Sequence, residues 1–284
     1  MGIRSSGAYL GGRSGIYPVG GGNNTDPIAD AFIAAHNTAT GSSMDAVQQA
    51  AVQGLAERLR GTGTTNSTDF ITASLIHALW PYCPTDDSTA TSAGYALDLF
   101  LNYTLSFTGF IAGNFTPNGL TGGAGKYADT NFSTSLIDVN DNGFMYSYNA
   151  IGAAAEAPMG VYTGGLKILA GLEGYGQYLG NITAVNPSNT SPYKNIIGTR
   201  RGITDVETYG DGASVATSTA QTTAKIADYT YFLHARSNTG SQIFNSTGTF
   251  TSFGITKGLT DNQAADLSEL INWYNANVVT GGRD

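Results

Sequence analysis

The chain has 284 residues, 41% of them hydrophobic and only 12% charged, with 38 glycines and a net charge of −8. The apolar content suffices for a sizeable core. The charge content is about half of the ~25% usual for globular domains, which leaves the surface to Ser, Thr, Asn and Gly. These numbers exclude a general nucleic-acid-binding face, which needs clustered Lys and Arg, a helical membrane span, which needs a run of about 18 apolar residues, and, with Cys83 alone, an internal disulfide.

The opening, Met1-Gly2-Ile3-Arg4, leads into no apolar run, so no signal peptide is expected. Residues 1–25 are glycine-rich, carry Arg4 and Arg13 and hold no acid. Such a segment cannot bury enough surface to fold alone and is expected to order only by docking on a partner. Arg4, Tyr9, Arg13 and Tyr17 are its candidate docking residues. Asp26-Pro27 then reads as an N-cap followed by Pro at the first helical position, with Ile28, Phe32 and Ile33 on one face. A second helix is expected over 43–60, with Ser43 as its cap and Met44, Val47, Ala51, Leu55 and Leu59 at helical spacing. Arg58 and Arg60 suit its negative C-terminal end, and Gly61-Thr62-Gly63 stops it.

Residues 70–80 (FITASLIHALW) fit helix and strand alike. Cys83, beside Trp80, Pro81, Tyr82 and Pro84, reads as a small buried apolar residue. From about 95 to 255 the pattern turns to short aromatic and β-branched runs, as at 144–151, 160–163, 193–198 and 229–235, separated by Gly, Asn, Asp and Ser. A closing helix is expected over 261–277, capped by Thr260 with Gln263 three residues on. Its apolar stripe is Leu267, Leu270, Ile271 and Tyr274, which puts Asp266 on the solvent face.

The residues offer little chemistry. Glycoside hydrolysis needs two carboxyl groups flanking the bond, and the five glutamates (57, 156, 173, 207 and 269) form no such pattern. Asp205 and Glu207 share a face at strand spacing, but Gly202, Gly210 and Gly212 mark them as a hairpin rim. His36, His77 and His234 stand far apart without zinc-site spacing, and no Gly-x-Ser-x-Gly elbow stands on a strand–turn–helix pattern. Asp138, Asn140 and Asn142 match the first half of an EF-hand loop, but the position of the bidentate Glu is Asn149. The stronger reading there is a hairpin turn at Asn142-Gly143, and Asp86-Asp87 reads as solvated loop acids. No cofactor is expected and the chain is expected not to be an enzyme. Glycan binding has aromatic and Asn/Asp side chains in plenty, without nominating any one residue.

Two stretches carry a resemblance. The first is Pro117-Asn118-Gly119 followed by Gly125-Lys126-Tyr127-Ala128-Asp129-Thr130 and Phe132. The second is Tyr231-Phe232-Leu233, Ala235-Arg236-Ser237-Asn238, Phe250-Thr251-Ser252-Phe253-Gly254-Ile255 and Lys257-Gly258-Leu259-Thr260, leading into the closing helix. Together with the helix at 43–60 ahead of Trp80-Pro81, they resemble a domain found widely in tailed-bacteriophage structural proteins, related to the concanavalin A-like, or laminin-G-like, jelly rolls. The likeness is patchy over 26–278 and its motifs are structural rather than catalytic. It implies a mainly β jelly-roll sandwich with peripheral helices, one domain over 26–284 behind an extended arm at 1–25, and a strand at the end of 70–80. It also implies a virion structural protein, as a head fibre, capsid decoration or tail appendage, docked on other virion proteins through the arm after assembly in the host cytoplasm. A homotrimer follows from the habit of projecting phage appendages and from a low-charge surface that packs on itself. The alternatives are a glycan- or receptor-binding tail-fibre module, with a host-surface glycan as partner, and a polysaccharide depolymerase.

Overall fold

The computed structural model describes residues 25–61, 67–150, 152, 157–163, 166–172, 176–179, 193–219, 228–238, 240–243 and 245–283. Four helices are α1 (Pro27–Thr40), α2 (Ala46–Leu59), α3 (Ser92–Tyr95) and α4 (Asp261–Asn277). The strands begin with β1 (Ile76–Trp80), β2 (Ser106–Thr108), β3 (Phe115–Thr116), β4 (Gly119–Thr121), β5 (Tyr127–Ser133) and β6 (Asp141–Ala150). They continue with β7 (Met159–Thr163), β8 (Leu166–Leu172), β9 (Gly176–Leu179), β10 (Asn195–Arg201) and β11 (Val206–Gly210). The last are β12 (Ala213–Ser218), β13 (Thr230–Leu233), β14 (Arg236–Asn238), β15 (Ser241–Ile243) and β16 (Thr249–Thr256).

The strands form two sheets, giving the mainly β sandwich with peripheral helices that the sequence predicts. The first runs β12-β11-β10-β6-β16-β4-β3, with β1 also on β16; the second runs β15-β14-β7-β13-β5-β2, with β8 and β9 beyond β7. Pairing is antiparallel except between β14 and β7. Between the sheets lies a core built from Trp80, Phe132, Phe144, Tyr146, Leu233, Phe250, Phe253 and their neighbours.

The middle strands of the first sheet, β6, β10, β11 and β16, are buried on both faces, because α1, α2 and α4 cover the sheet's other side, while the edge strand β12 is largely exposed. Side chains alternate across a strand, so Phe144, Tyr146 and Tyr148 of β6 enter the core between the sheets while Met145 enters the helix-side core. Ile196 and Ile197 of β10 divide in the same way. Double burial explains why these strands read as near-continuous apolar runs rather than alternating ones. Phe250 and Phe253, three residues apart, both face the inter-sheet core because the β16–β6 register slips between Phe250 and Ser252.

The helix ends follow local chemistry. Asp26 caps α1 by accepting from the Ile28 N–H (2.9 Å) and pairs with Arg60 Nε at the end of α2 (2.5 Å), tying the two helices together. Asp45, not Ser43, caps α2, accepting from the Val47 and Gln48 N–H groups. The helix starts at Ala46, so Asp45 is the residue whose side chain reaches the first amides, and its charge suits the positive end of the helix. Thr260 and Gln263 form a capping box on α4, and Leu267, Leu270, Ile271 and Tyr274 are all buried. Asp266 departs from its expected solvent face: its Oδ2 accepts from the Thr68 backbone N–H (3.1 Å) and from the Thr68 hydroxyl. The last part of 70–80 is the strand β1, antiparallel to β16.

Candidate functional site

A cleft of about 670 Å³ opens where α4 ends, against the first sheet and the start of α2. Its walls include Ser147 and Tyr148 of β6, Thr251 of β16, Lys194 just before β10, Val47 of α2 and the last turns of α4 with residues 279–283. Three asparagines, Asn272, Asn275 and Asn277, come from one end of α4. Helical spacing sets Asn272 and Asn275 three residues apart on neighbouring turns. Asn275 is buried and donates from Nδ2 to Ser147 Oγ (3.1 Å), fixing its amide on the sheet. Asn272 accepts at Oδ1 from Asn195 Nδ2 (2.7 Å) and is exposed.

Arg283 builds the floor. It is 6% exposed and donates from Nε to the Pro117 carbonyl (2.8 Å), from Nη2 to the Tyr82 carbonyl (2.6 Å) and from Nη1 to the Thr251 carbonyl (3.3 Å) and Asn275 Oδ1 (3.4 Å). All four acceptors are neutral, and among the described residues no carboxylate pairs with Arg283 or with Lys194. The C-terminal end of α4, which carries partial negative charge, supplies part of the compensation. Thr251 is buried and its hydroxyl has no partner among the described residues. The lining thus combines amide, hydroxyl and cationic groups and, among the described residues, no carboxylate, an arrangement that holds a polar ligand by directed hydrogen bonds.

A second constellation lies at the other end of α4. Arg201 donates from Nε and Nη2 to Asp205 (2.9 and 3.1 Å), from Nη2 to Glu207 Oε2 (2.7 Å), and from Nη1 to Asp261 Oδ1 (3.1 Å) and the Leu259 carbonyl (3.0 Å). The Tyr209 hydroxyl lies 2.7 Å from Glu207 Oε2 and 2.8 Å from Asp261 Oδ1. Its single proton serves one of them at a time. Burial, with Glu207 and Asp261 as hydrogen-bond acceptors, raises the Tyr209 hydroxyl well above its ordinary range, and the same phenol with Arg201 holds the Asp261 carboxyl below its own. Asp205 and Glu207, the strand-spaced acids of the sequence, are therefore both committed to one guanidinium. The group staples the first turn of α4 to the β10–β11 hairpin.

Arg4, Tyr9, Arg13 and Tyr17 lie outside the described residues. Asp138, Asn140 and Asn142 are brought together, but around a protein cation. Asp138 Oδ1 accepts from the Asn140 N–H (2.8 Å), and Asn140 Oδ1 accepts from Arg200 Nη2 (2.9 Å). Asn142 Nδ2 donates to the Asp138 and Val139 carbonyls. The hairpin expected at Asn142-Gly143 is displaced: the turn is at 138–141, and Asn142 and Gly143 lie inside β6 between β10 and β16. A Cβ at Gly143 would sit 2.5 Å from Thr256 Oγ1 and 2.7 Å from the Gly198 carbonyl, so close packing, not turn geometry, explains this glycine. Asp86 turns back on Ser88 and Thr89, while Asp87 accepts from Gln48 Nε2 and the Thr280 N–H. Cys83 is buried, and burial pushes its thiol up to about 12. The cleft residues escaped the sequence reading because they come from 47, 147–148, 194, 251 and 272–283. The one local signal was the run of asparagines closing α4.

No family model matches the chain, nor does any curated protein. Solved structures similar to it include domain 4 of AbnA, a GH43 extracellular arabinanase from Geobacillus stearothermophilus, in complex with arabinotriose, at 16% identity and TM-score 0.43 over 68% of this chain and 98% of that one. A Trypanosoma rangeli sialidase mutant displaying trans-sialidase activity is similar at 11% identity and TM-score 0.48, over 79% of this chain and 39% of that one. The binding domain of botulinum neurotoxin DC, in complex with SialylT, is similar at 12% identity and TM-score 0.44, over 71% and 52%. The expectation that the chain is not an enzyme is corrected by these findings, since glycoside hydrolases and sialidases stand among the similar structures; at TM-scores below 0.5 the likenesses assign no activity in its place.

Proposed function

We propose that this chain is a glycan-binding β-sandwich module of a tailed-phage particle. The observation that carries the binding reading is the cleft at the end of α4. The exposed Asn272 and Asn277 amides and Lys194 offer donors and acceptors matched to sugar hydroxyls, over a floor of Asn275 and Arg283 that α4 and the first sheet hold in place before any ligand arrives. The particle reading is supported by the motifs around Pro117-Asn118-Gly119 and Lys257-Gly258-Leu259-Thr260 that resemble phage structural domains. On this reading residues 1–25, through Arg4, Tyr9, Arg13 and Tyr17, attach the module to another virion protein, and three copies project together.

A glycan array probed with the purified chain tests the binding reading. Specific hits that weaken in Asn272→Ala and Lys194→Ala support it; an array without hits overturns it. Release of reducing sugar from any glycan bound separates cleavage from binding. Mass spectrometry of purified particles tests the location: peptides of this chain at stoichiometric copy number support it, and their absence refutes it.

A further inference from the structure

We infer that the cleft selects a saccharide bearing a carboxylate, such as a uronic acid unit. The inference rests on reading the cleft as a glycan site and adds the charge of the sugar it takes. The chain carries 21 acids against 13 Lys and Arg, yet among the described residues the cleft is lined by two cations, Lys194 and Arg283, and by no acid. Two acids bond to the lining from outside it. Asp45 accepts from the Val47 N–H and Asp87 from the Thr280 N–H, so both are engaged by backbone donors on the α2 side.

Lys194 is exposed, and neither cation has a carboxylate partner among the described residues. Arg283 has five N–H donors that meet neutral oxygens and lies 5.9 Å over the Tyr274 ring, so its hydrogen bonds are largely satisfied while no carboxylate among the described residues balances its charge. A buried cation without a counter-ion is costly. An anion entering the cleft would be attracted in a medium that screens less than bulk water. The exposed asparagines would take the sugar hydroxyls, and Lys194 would meet the carboxylate as a charge-assisted donor. A neutral sugar would satisfy the amides and leave both charges as they are.

The test uses the whole chain on an array of paired acidic and neutral oligosaccharides, followed by calorimetry. The calorimetric probes are oligogalacturonate, or the acidic hit itself, and the same oligomer after reduction of its carboxyl groups. Hits confined to carboxylated sugars are expected, with the reduced oligomer binding roughly tenfold more weakly, the value of one charge-assisted contact. Lys194→Gln should erase most of that preference by weakening the acidic oligomer far more than the reduced one, and added salt should narrow the gap. Lys194 is exposed, so this variant folds even if Arg283→Gln does not. Equal binding of the acidic and reduced oligomers, or hits confined to neutral sugars, would overturn the charge selectivity and leave the glycan-binding reading standing. An array with no hits at all overturns both.

Discussion

His234 makes the fold lose stability in mild acid. The residue follows β13 with a φ of 59° and is fully buried, ringed by Tyr82, Phe110, Phe250 and Phe253, and neither ring nitrogen has a hydrogen-bond partner among the described residues. Burial disfavours the imidazolium and pushes the pKa from 6.5 to about 3. The unfolded chain takes up a proton near 6.5 and the folded chain does not until about 3. Stability contributed by the neutral ring is therefore complete above 6.5 and drains away as pH falls toward 3. The shift of about 3.5 units corresponds to a loss of at most about 5 kcal/mol, against a total stability of ~5–15 kcal/mol. Burial pushes His36 and His77 in the same direction. Asp98 works the other way: burial pushes its carboxyl from 3.8 up to about 6, against the opposing pull of the Leu79 and Asn102 N–H groups it accepts from. The fold therefore gains a proton before the unfolded chain does, which returns up to about 3 kcal/mol between pH 6 and 4. Urea midpoints of the wild type should fall as pH drops from 7.5, steepest near 6.5, with a shallower course between 6 and 4. His234→Asn, a residue that also tolerates positive φ, should flatten the fall, while Asp98→Asn should make it steeper. A His234→Asn variant with the wild-type pH slope would refute the assignment, whatever its stability at neutral pH.

Leu270→Ala empties a fully buried site on α4 and should cost ~2–5 kcal/mol in urea unfolding. Asp266→Ala, which the sequence places on a solvent face, should instead cost about 1 kcal/mol by releasing Thr68, and a silent substitution would show that contact to be idle. Gly143→Ala forces a methyl against the Gly198 carbonyl and should give insoluble protein or a markedly lower Tm, read by circular dichroism. Deleting residues 1–25 should leave the Tm of the sandwich unchanged and stop incorporation into particles; normal incorporation of the truncated chain would show that the arm is not the anchor.

Much of the fold was legible because the signals are local. Asp26-Pro27 and Thr260 with Gln263 mark helix starts through hydrogen bonds made within three residues, and the stripe from Leu267 to Tyr274 follows the helical period. What the sequence hid depends on distant partners. Asn142-Gly143 has the composition of a turn, but β10 and β16 close on both sides of it and leave room for no side chain. Ser43 lost the cap to Asp45, whose carboxylate reaches two N–H groups. Asp266 looked solvated until the loop holding Thr68 folded onto it. The candidate site was hidden most completely, because its walls come from segments spread along the chain and its buried cation, Arg283, gains its place only when the segment after α4 folds back on Tyr82, Pro117 and Thr251.

Helix α4 joins the two polar constellations. Its first turn is held by the capping box and by Asp261 on Arg201 and Tyr209, and its last turns supply Asn272, Asn275 and Asn277 to the cleft. Between these ends its apolar stripe is buried against the first sheet and α2, and it contains no glycine or proline at which it could bend. The asparagines that α4 brings to the cleft are therefore held as firmly as the helix itself. Ligand selection in such a site comes from the identity and charge of fixed groups rather than from closure around the ligand. Substitutions in the Arg201 group should accordingly act on stability, through the anchoring of α4, while substitutions at Lys194 and Asn272 act on binding and leave stability nearly unchanged.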